Sequence, residues 1–240
     1  MKAILLNSGV GRRLKPITDN TPKCLVEINE QTILGHEIDN LLHHNIKDFI
    51  ITIGPFGDKI KNFVKEKYPD LNVEYVYNPK FESTNYIYSM WLVKNFIDDD
   101  VLIMHGDMLF DKKLLSNLFN KDENCVLVNN KIEPPEKDFK GEIQDNMVKR
   151  IGVDVFGEGC HFLAPIYKFS KDSFISWLTE IENFIFTGNV NVYAEEAFNN
   201  IADELKLMPV YYGDEFCMEI DNLEDLEIAK KFFTNSEKAI

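Results

Sequence analysis

The sequence predicts an α/β fold, a Rossmann-like and mostly parallel central sheet flanked by helices. Two observations carry this expectation. Short β-rich runs alternate with stretches of helical apolar spacing through the first half of the chain, as in crossover units. Breaks rich in Gly, Pro and Asn separate the runs.

Taken in order, Met1–Leu6 reads as a first buried strand, followed by a polar loop from Asn7 to Lys23. Between Thr32 and His44 the residues Ile33, Leu34, Ile38, Leu41 and Leu42 repeat at helical spacing. Asp48–Ile53 is the second strand, broken by Gly54, Pro55 and Gly57. Asp58–Tyr68 resumes helical spacing until Pro69 stops it. Val73–Tyr77 is the third strand, Asn85–Phe96 a helix, and Asp100–Met104 a fourth strand ending at His105-Gly106-Asp107. The prolines and charges of Lys131–Asp145 suggest an excursion or edge hairpin rather than a linker. Runs near Cys125–Val128 and Cys160–Tyr167 rejoin the sheet, Ser170–Ile181 is helical, and Leu223–Phe233 is a helix packed across the sheet or against a partner. One domain over residues 1–240 is expected, with an acceptor-binding excursion around 131–200.

Composition limits the partners. The 26 basic and 40 acidic residues give a formal charge of −14, which disfavours nucleic acid and anionic membrane surfaces. Cys24, Cys125, Cys160 and Cys217 show no CxxC pairing, so ordinary thiols are expected rather than a zinc site or a disulfide framework. Neither a signal peptide nor a run of membrane-spanning length is legible, and the expected location is the cytoplasm.

The chemistry concentrates where strands end, because open parallel sheets bind ligands outside the carboxyl ends of their strands. After the first strand come Leu6, Asn7, Ser8, Gly9, Val10, Gly11, Arg12, Arg13 and Leu14, then Pro16, Thr18, Pro22 and Lys23. Glycines there let backbone N–H groups approach phosphate, and the three basic side chains suit a triphosphate. A third glycine is missing from the dinucleotide fingerprint, and there is no G-K-[ST] of a P-loop. Asp107 stands after a strand and a glycine, a place suited to a hard cation. In Cys217-Met218-Glu219-Ile220-Asp221, strand alternation puts both carboxylates on one side.

Residues 6–23 resemble the L-x-x-G-x-G-x-R-L-x-P-x-T-x-x-x-P-K signature of the sugar-phosphate nucleotidyltransferases. Residues 77–81 and 84–90 (YNPKF, then TNYIYSM) resemble the bacterial phosphocholine cytidylyltransferase branch. The resemblance implies a nucleotidyltransferase (glycosyltransferase A-like) fold and Mg²⁺-dependent transfer of CMP from CTP to a small phosphorylated acceptor, with pyrophosphate released and a role in cell-surface polysaccharide modification. It implies catalytic roles for Arg13, Lys23 and Asp107. Leu6, Asn7, Ser8, Gly9, Gly11, Arg12, Ser83, Thr84, Asn85 and Gly106 would meet the nucleotide. Asp107 and Asp221 would hold Mg²⁺, with Glu219 in support. Asn7 and Ser8 depart from the usual pair of alanines.

For the acceptor, Tyr86, Tyr193, Glu195 and Glu196 are the candidates, with Phe139 as a further wall. So thin an aromatic set favours a phosphorylated amino acid, such as glutamine phosphate, or an aminoalkylphosphonate over phosphocholine. Lys140, Lys149 and Arg150 are basic groups that would pair with an anionic acceptor or simply face solvent. His105 is read as a buried or supporting histidine rather than a base. A sugar-1-phosphate nucleotidyltransferase, a glycosyltransferase and a non-catalytic nucleotide-binding module remain the alternatives, and a homodimer is possible.

Overall fold

In each central strand, successive apolar residues face opposite helical layers, and this alternation sets the architecture. The computed structural model describes residues 1–237, with side chains to residue 234. Strand β1 (Lys2–Asn7) sends Ala3 and Leu5 to one layer and Ile4 to the other. After the glycine-rich loop come the two-residue pair β2 (Glu27–Ile28) and β3 (Gln31–Thr32), then helix α1 (Ile33–His43). The Thr32 hydroxyl caps α1 by accepting the Gly35 N–H at 3.0 Å. Strands β4 (Asp48–Ile53) and β5 (Asn72–Tyr77) flank helix α2 (Gly57–Lys67), and α3 (Tyr86–Leu92) tightens into a 3₁₀ turn over Val93–Phe96, shorter than the α-helix expected there. Next are β6 (Val101–His105), β7 (Met108–Phe110), α4 (Lys113–Phe119) and β8 (Cys125–Asn129). The rest comprises β9 (Lys140–Gln144), β10 (Met147–Gly152), β11 (Cys160–Phe169), α5 (Lys171–Phe186), α6 (Ala194–Asn200), α7 (Ala202–Leu205), β12 (Met208–Tyr212), β13 (Cys217–Glu219) and α8 (Leu223–Glu237).

The four strands expected in the first half form a parallel core in the order β6-β1-β4-β5. Beyond β6, the ten-residue β11 runs antiparallel and pairs in turn with β9, β8 and β6, so the complete sheet is mixed. The β9–β10 hairpin forms one edge, as the charged, proline-bearing segment suggests. Strand β12, with Pro209 in it, adds parallel to β8, an edge position where a missing N–H is tolerated.

The layer built on α1, α2 and α4 buries Leu34, Ile38, Leu41, Ile60, Val64, Leu114 and Leu118. The opposite layer centres on Trp177 of α5, which is fully buried, meets Tyr167, Phe169, Phe174 and Phe198 edge-on or tilted, and donates Nε1–H to the Ala194 carbonyl at 3.0 Å. A third cluster joins Leu14 of the glycine-rich loop to Ile33, Leu109, Ile220, Leu226 and Ala229. Helix α8 thus packs on the loop side of the molecule rather than across the sheet, and it clamps the loop against β7 and the segment after β13.

Two features can be tested on stability. A Cβ on Gly54 would stand 2.2 Å from the Ser8 carbonyl oxygen, a backbone atom that cannot yield cheaply. Gly54→Ala is therefore expected to cost about 1–3 kcal/mol, read as a lowered thermal midpoint. His36 of α1 is buried beside Phe110 and Phe233, with ring centroids at 5.6 and 5.5 Å, and its Nε2 lies 2.8 Å from the Phe110 carbonyl oxygen. Burial lowers its pKa below 6.5. The unfolded chain then takes up the proton first, so stability falls as pH drops through about 6.5. Denaturation midpoints at pH 7.5 and 5.5 should show this loss, and His36→Gln should lose less.

Candidate active site

Three chain segments, remote in sequence, meet at one ammonium group. The glycine-rich loop leaves β1 and turns at Gly11, whose φ of 63° suits a residue without Cβ; there a Cβ would meet Lys23 Cβ at 3.0 Å. The loop returns so that Lys23 Nζ lies 2.5 Å from Asp107 Oδ2 and 2.9 Å from Asp221 Oδ1. Arg13 reaches the same Asp221 oxygen at 2.7 Å, with 65% of its side chain exposed. Burial opposes the charge on Lys23, but Asp107 and Asp221 outweigh it and raise its pKa. Burial likewise opposes ionisation of Asp221, and Lys23 and Arg13 overcome it to hold that carboxyl below its usual range.

The acidic residues arrive together because β13 pairs antiparallel with β7, setting Glu219 against Met108, while Ile220 N–H donates to the Asp107 carbonyl at 2.9 Å. Ile220 points into the apolar cluster, and Glu219 and Asp221 flank Asp107. Ligand atoms of His105, Asp107 and Glu219 lie within 4.8 Å of one another. His105 Nδ1 is 3.7 Å from Glu219 Oε2. Burial disfavours the imidazolium, but Glu219 and Asp107 outweigh it and raise the His105 pKa. Burial raises that of Glu219. Glu37 of α1, fully buried, accepts the Met108 N–H at 3.2 Å and braces the turn behind Asp107.

Two adjoining clefts open here. One, of about 250 Å³, is lined by Leu6, Asn7, Gly9, Gly11, Arg12, Arg13, Lys23, Gly106, Asp107 and Asp221. The other, of about 340 Å³, is lined by Leu6, Ser8, Gly9, Thr84, Asn85, Tyr86, His105 and Asp107, with Thr52, Asn78, Ser89 and Asn191. Asn7 lies over Gly106, where an added Cβ would meet its side chain at 1.9 Å. Ser83 is exposed and turned onto the Lys80 carbonyl, outside both linings.

Tyr86 packs on His105 and Tyr193, and Phe139 on His105 and Tyr193, with centroids 4.6–6.0 Å apart. Glu195 lies beneath this group, 1% exposed, and accepts hydrogen bonds from the Tyr86 and Tyr167 hydroxyls. Glu196 is exposed on α6. Lys140 gives its ammonium to the Glu136 and Val153 carbonyls, while Lys149 and Arg150 pair with Asp203 and Asp154 at the surface. His105, read from the sequence as a buried or supporting histidine, lines the cleft, as do Asn78 and Ser89 of the quoted motifs, whereas Thr52 and Asn191 are lining residues that sequence reasoning did not single out. Thr52 offers one legible signal, a hydroxyl inside an otherwise apolar strand interior.

The profile of the nucleotidyl transferase family matches residues 2–139, which hold the glycine-rich loop, Lys23 and Asp107. Over 122 residues the chain is 37% identical to the choline-phosphate cytidylyltransferase of Streptococcus pneumoniae, covering 51% of this chain and 49% of that protein. Over 135 residues it is 30% identical to the CTP:phosphoglutamine cytidylyltransferase of Campylobacter jejuni, covering 53% and 52%. The chain thus spans about half the length of the curated relatives it matches. The solved structure of the CTP:phosphocholine cytidylyltransferase of S. pneumoniae superposes with a TM-score of 0.80 at 25% identity, over 97% of this chain and 98% of that one. No helix among the described residues is long and apolar enough to cross a membrane. With a fold, a loop and a matched segment that agree, the chain belongs to the nucleotidyl transferase family.

Proposed function

We propose that this chain is a Mg²⁺-dependent cytidylyltransferase, transferring CMP from CTP to a small phosphorylated acceptor that carries an ammonium group and releasing pyrophosphate. The observation that carries the reading is the Lys23 ammonium shared by Asp107 and Asp221 at the mouth of the glycine-rich loop. The cytidylyl donor is supported by the relatives' own activities on CTP.

The residues fit Mg²⁺. Asp107 Oδ1 is buried with no hydrogen-bond partner among the described residues, and the surrounding carboxylates are the oxygen donors a hard cation takes. Asp107 and Asp221 would hold it, with Glu219 in support, and the chemistry it supplies there is neutralisation of phosphate charge. Arg13 and Lys23 bind the triphosphate by exchanging their carboxylate partners for phosphate oxygens. The acceptor phosphate, already an anion, attacks the α-phosphorus in line. A new P–O bond forms, the α–β bridging P–O bond breaks, and pyrophosphate leaves with the electron pair beside Lys23 and Arg13. No general base is required.

The rings of Tyr86, Phe139, Tyr193 and His105 assemble a fuller aromatic wall than their spacing in the sequence suggests, with Glu219 beside it. Aromatic faces and a nearby carboxylate suit an ammonium group. The segment around 131–200 supplies Phe139, Asn191 and Tyr193 to this side.

Lys23→Ala and Asp107→Ala are each expected to lower turnover about 10²–10³-fold while far-UV dichroism is retained. Wild-type rates in either variant would remove that residue from the mechanism. A pyrophosphate-release assay crossing four nucleoside triphosphates with phosphocholine, phosphoethanolamine, glutamine phosphate, aminoethylphosphonate and hexose 1-phosphates should respond to CTP with an amine-bearing acceptor. Response to UTP with a hexose 1-phosphate and none to CTP would favour a sugar nucleotidyltransferase. CTP binding without turnover on any acceptor would favour a non-catalytic module.

A further inference from the structure

The floor of the larger cleft is a line of buried polar side chains whose hydrogen bonds all point one way. Asn78, 2% exposed, accepts the Lys80 backbone N–H on Oδ1 at 2.8 Å. That contact fixes the orientation of the amide, so Nδ2 is the end that faces Ser89 Oγ at 3.0 Å and Thr84 Oγ1 at 3.5 Å. An amide nitrogen only donates. Thr84 spends its own proton on the Lys80 carbonyl at 2.9 Å, so it does not donate to Asn78. Ser89, 1% exposed, receives from Asn78 and donates to Ser8 Oγ at 3.0 Å. Among the described residues this is the one hydrogen bond of the Ser8 hydroxyl, which accepts it and still has its own proton to donate. Ser8 lines the cleft, and Gly54, packed beneath its carbonyl, holds its backbone in place.

We propose that Ser8 selects the nucleotide base, its hydroxyl held as a donor toward the cleft by the one-way chain from Lys80 through Asn78 and Ser89. The proposal rests on the preceding reading, in which the base of the nucleotide occupies this cleft. Cytosine and uracil share the O2 carbonyl but differ at N3, which accepts in cytosine and donates in uracil. A donor directed at N3 bonds to cytosine. Facing uracil, it opposes a second donor, and turning the Ser8 proton back onto Ser89 would leave the buried Ser89 hydroxyl, which already accepts from Asn78, with no acceptor for its own proton among the described residues. A site built to satisfy one hydrogen-bonding pattern rejects the ligand that leaves buried groups unpaired. An alanine at position 8 would supply no such group.

The test measures affinity rather than turnover, so it needs no acceptor. The whole chain is titrated with CTP and with UTP in the presence of Mg²⁺, as wild type, Ser8→Ala, Ser89→Ala and Asn78→Asp. Wild type should prefer CTP, and Ser8→Ala should weaken CTP about tenfold with UTP changed less than about twofold. Ser89→Ala, which breaks the chain without adding charge, should reduce the preference. Asn78→Asp keeps an acceptor for Lys80 but offers Ser89 only lone pairs. It reverses the chain and should shift the preference toward UTP. An unchanged CTP-to-UTP ratio in folded Ser8→Ala, or an equal loss of both nucleotides, would overturn the proposal while leaving the cleft's role intact. Failure of the wild type to bind CTP would instead overturn the reading on which it rests.

Discussion

The structure is organised around one largely sheltered cation. Lys23 ties the loop after β1, the turn after β6 and the segment after β13 into a single point, across 84 and 198 residues of chain. Two carboxylates this sheltered would repel each other if the lysine were removed, and without them burial would lower the lysine's pKa. The arrangement is stable only as a set. It also explains the small apolar cluster beside it, because Leu14, Leu109 and Ile220 pin the three segments at the positions where their charged neighbours meet.

Under the proposed function, the same constraint would prepare the site for a phosphorylated ligand. Arg13 is largely exposed and holds Asp221 through one nitrogen, whereas Lys23 and Asp107 are each only 16% exposed. An arriving triphosphate would then engage Arg13 first and compete for Lys23 at a point that burial has already desolvated. Electrostatic attraction gains strength where water is excluded, so on that reading this preorganisation would act on the charge that develops during transfer.

Away from the charges, the cleft depends on neutral hydrogen bonds. Thr52 is completely buried and accepts the Asn7 N–H at 3.0 Å, which fixes the last residue of β1, where the loop departs, to β4. Ser8, Ser89 and Asn78 continue the polar floor. On the other side, Glu195 holds the Tyr86 and Tyr167 hydroxyls from below, so Tyr86 presents its ring rather than its oxygen toward His105. Trp177 steadies that wall through its bond to Ala194, the residue between Tyr193 and Glu195. Thr52, Asn78, Ser89, Tyr167, Trp177 and Glu195 are buried and paired, which restrains the walls at the cost of tolerance to substitution.

Much of this was legible in the sequence, for reasons that are local. Strands β1, β4, β5 and β6 fell within a residue of expectation because apolar composition and glycine or proline breaks act over a few neighbours. The loop glycines, Arg13 and Lys23 were visible as a spaced motif, and Asp107 as a carboxylate at a strand end. What the chain could not announce were pairings between distant residues: Lys23 with two aspartates, Ser8 with Ser89, His105 with Glu219, and an aromatic wall drawn from positions 86, 105, 139 and 193. Glu195 shows the limit most clearly, since its carboxylate, expected to face an acceptor, lies under two tyrosines. Local spacing determined which elements form and which residues stand at their ends. The crossovers and the β7–β13 pairing decided which of those residues share a low-dielectric space, and that proximity sets their charge and hydrogen-bonding roles.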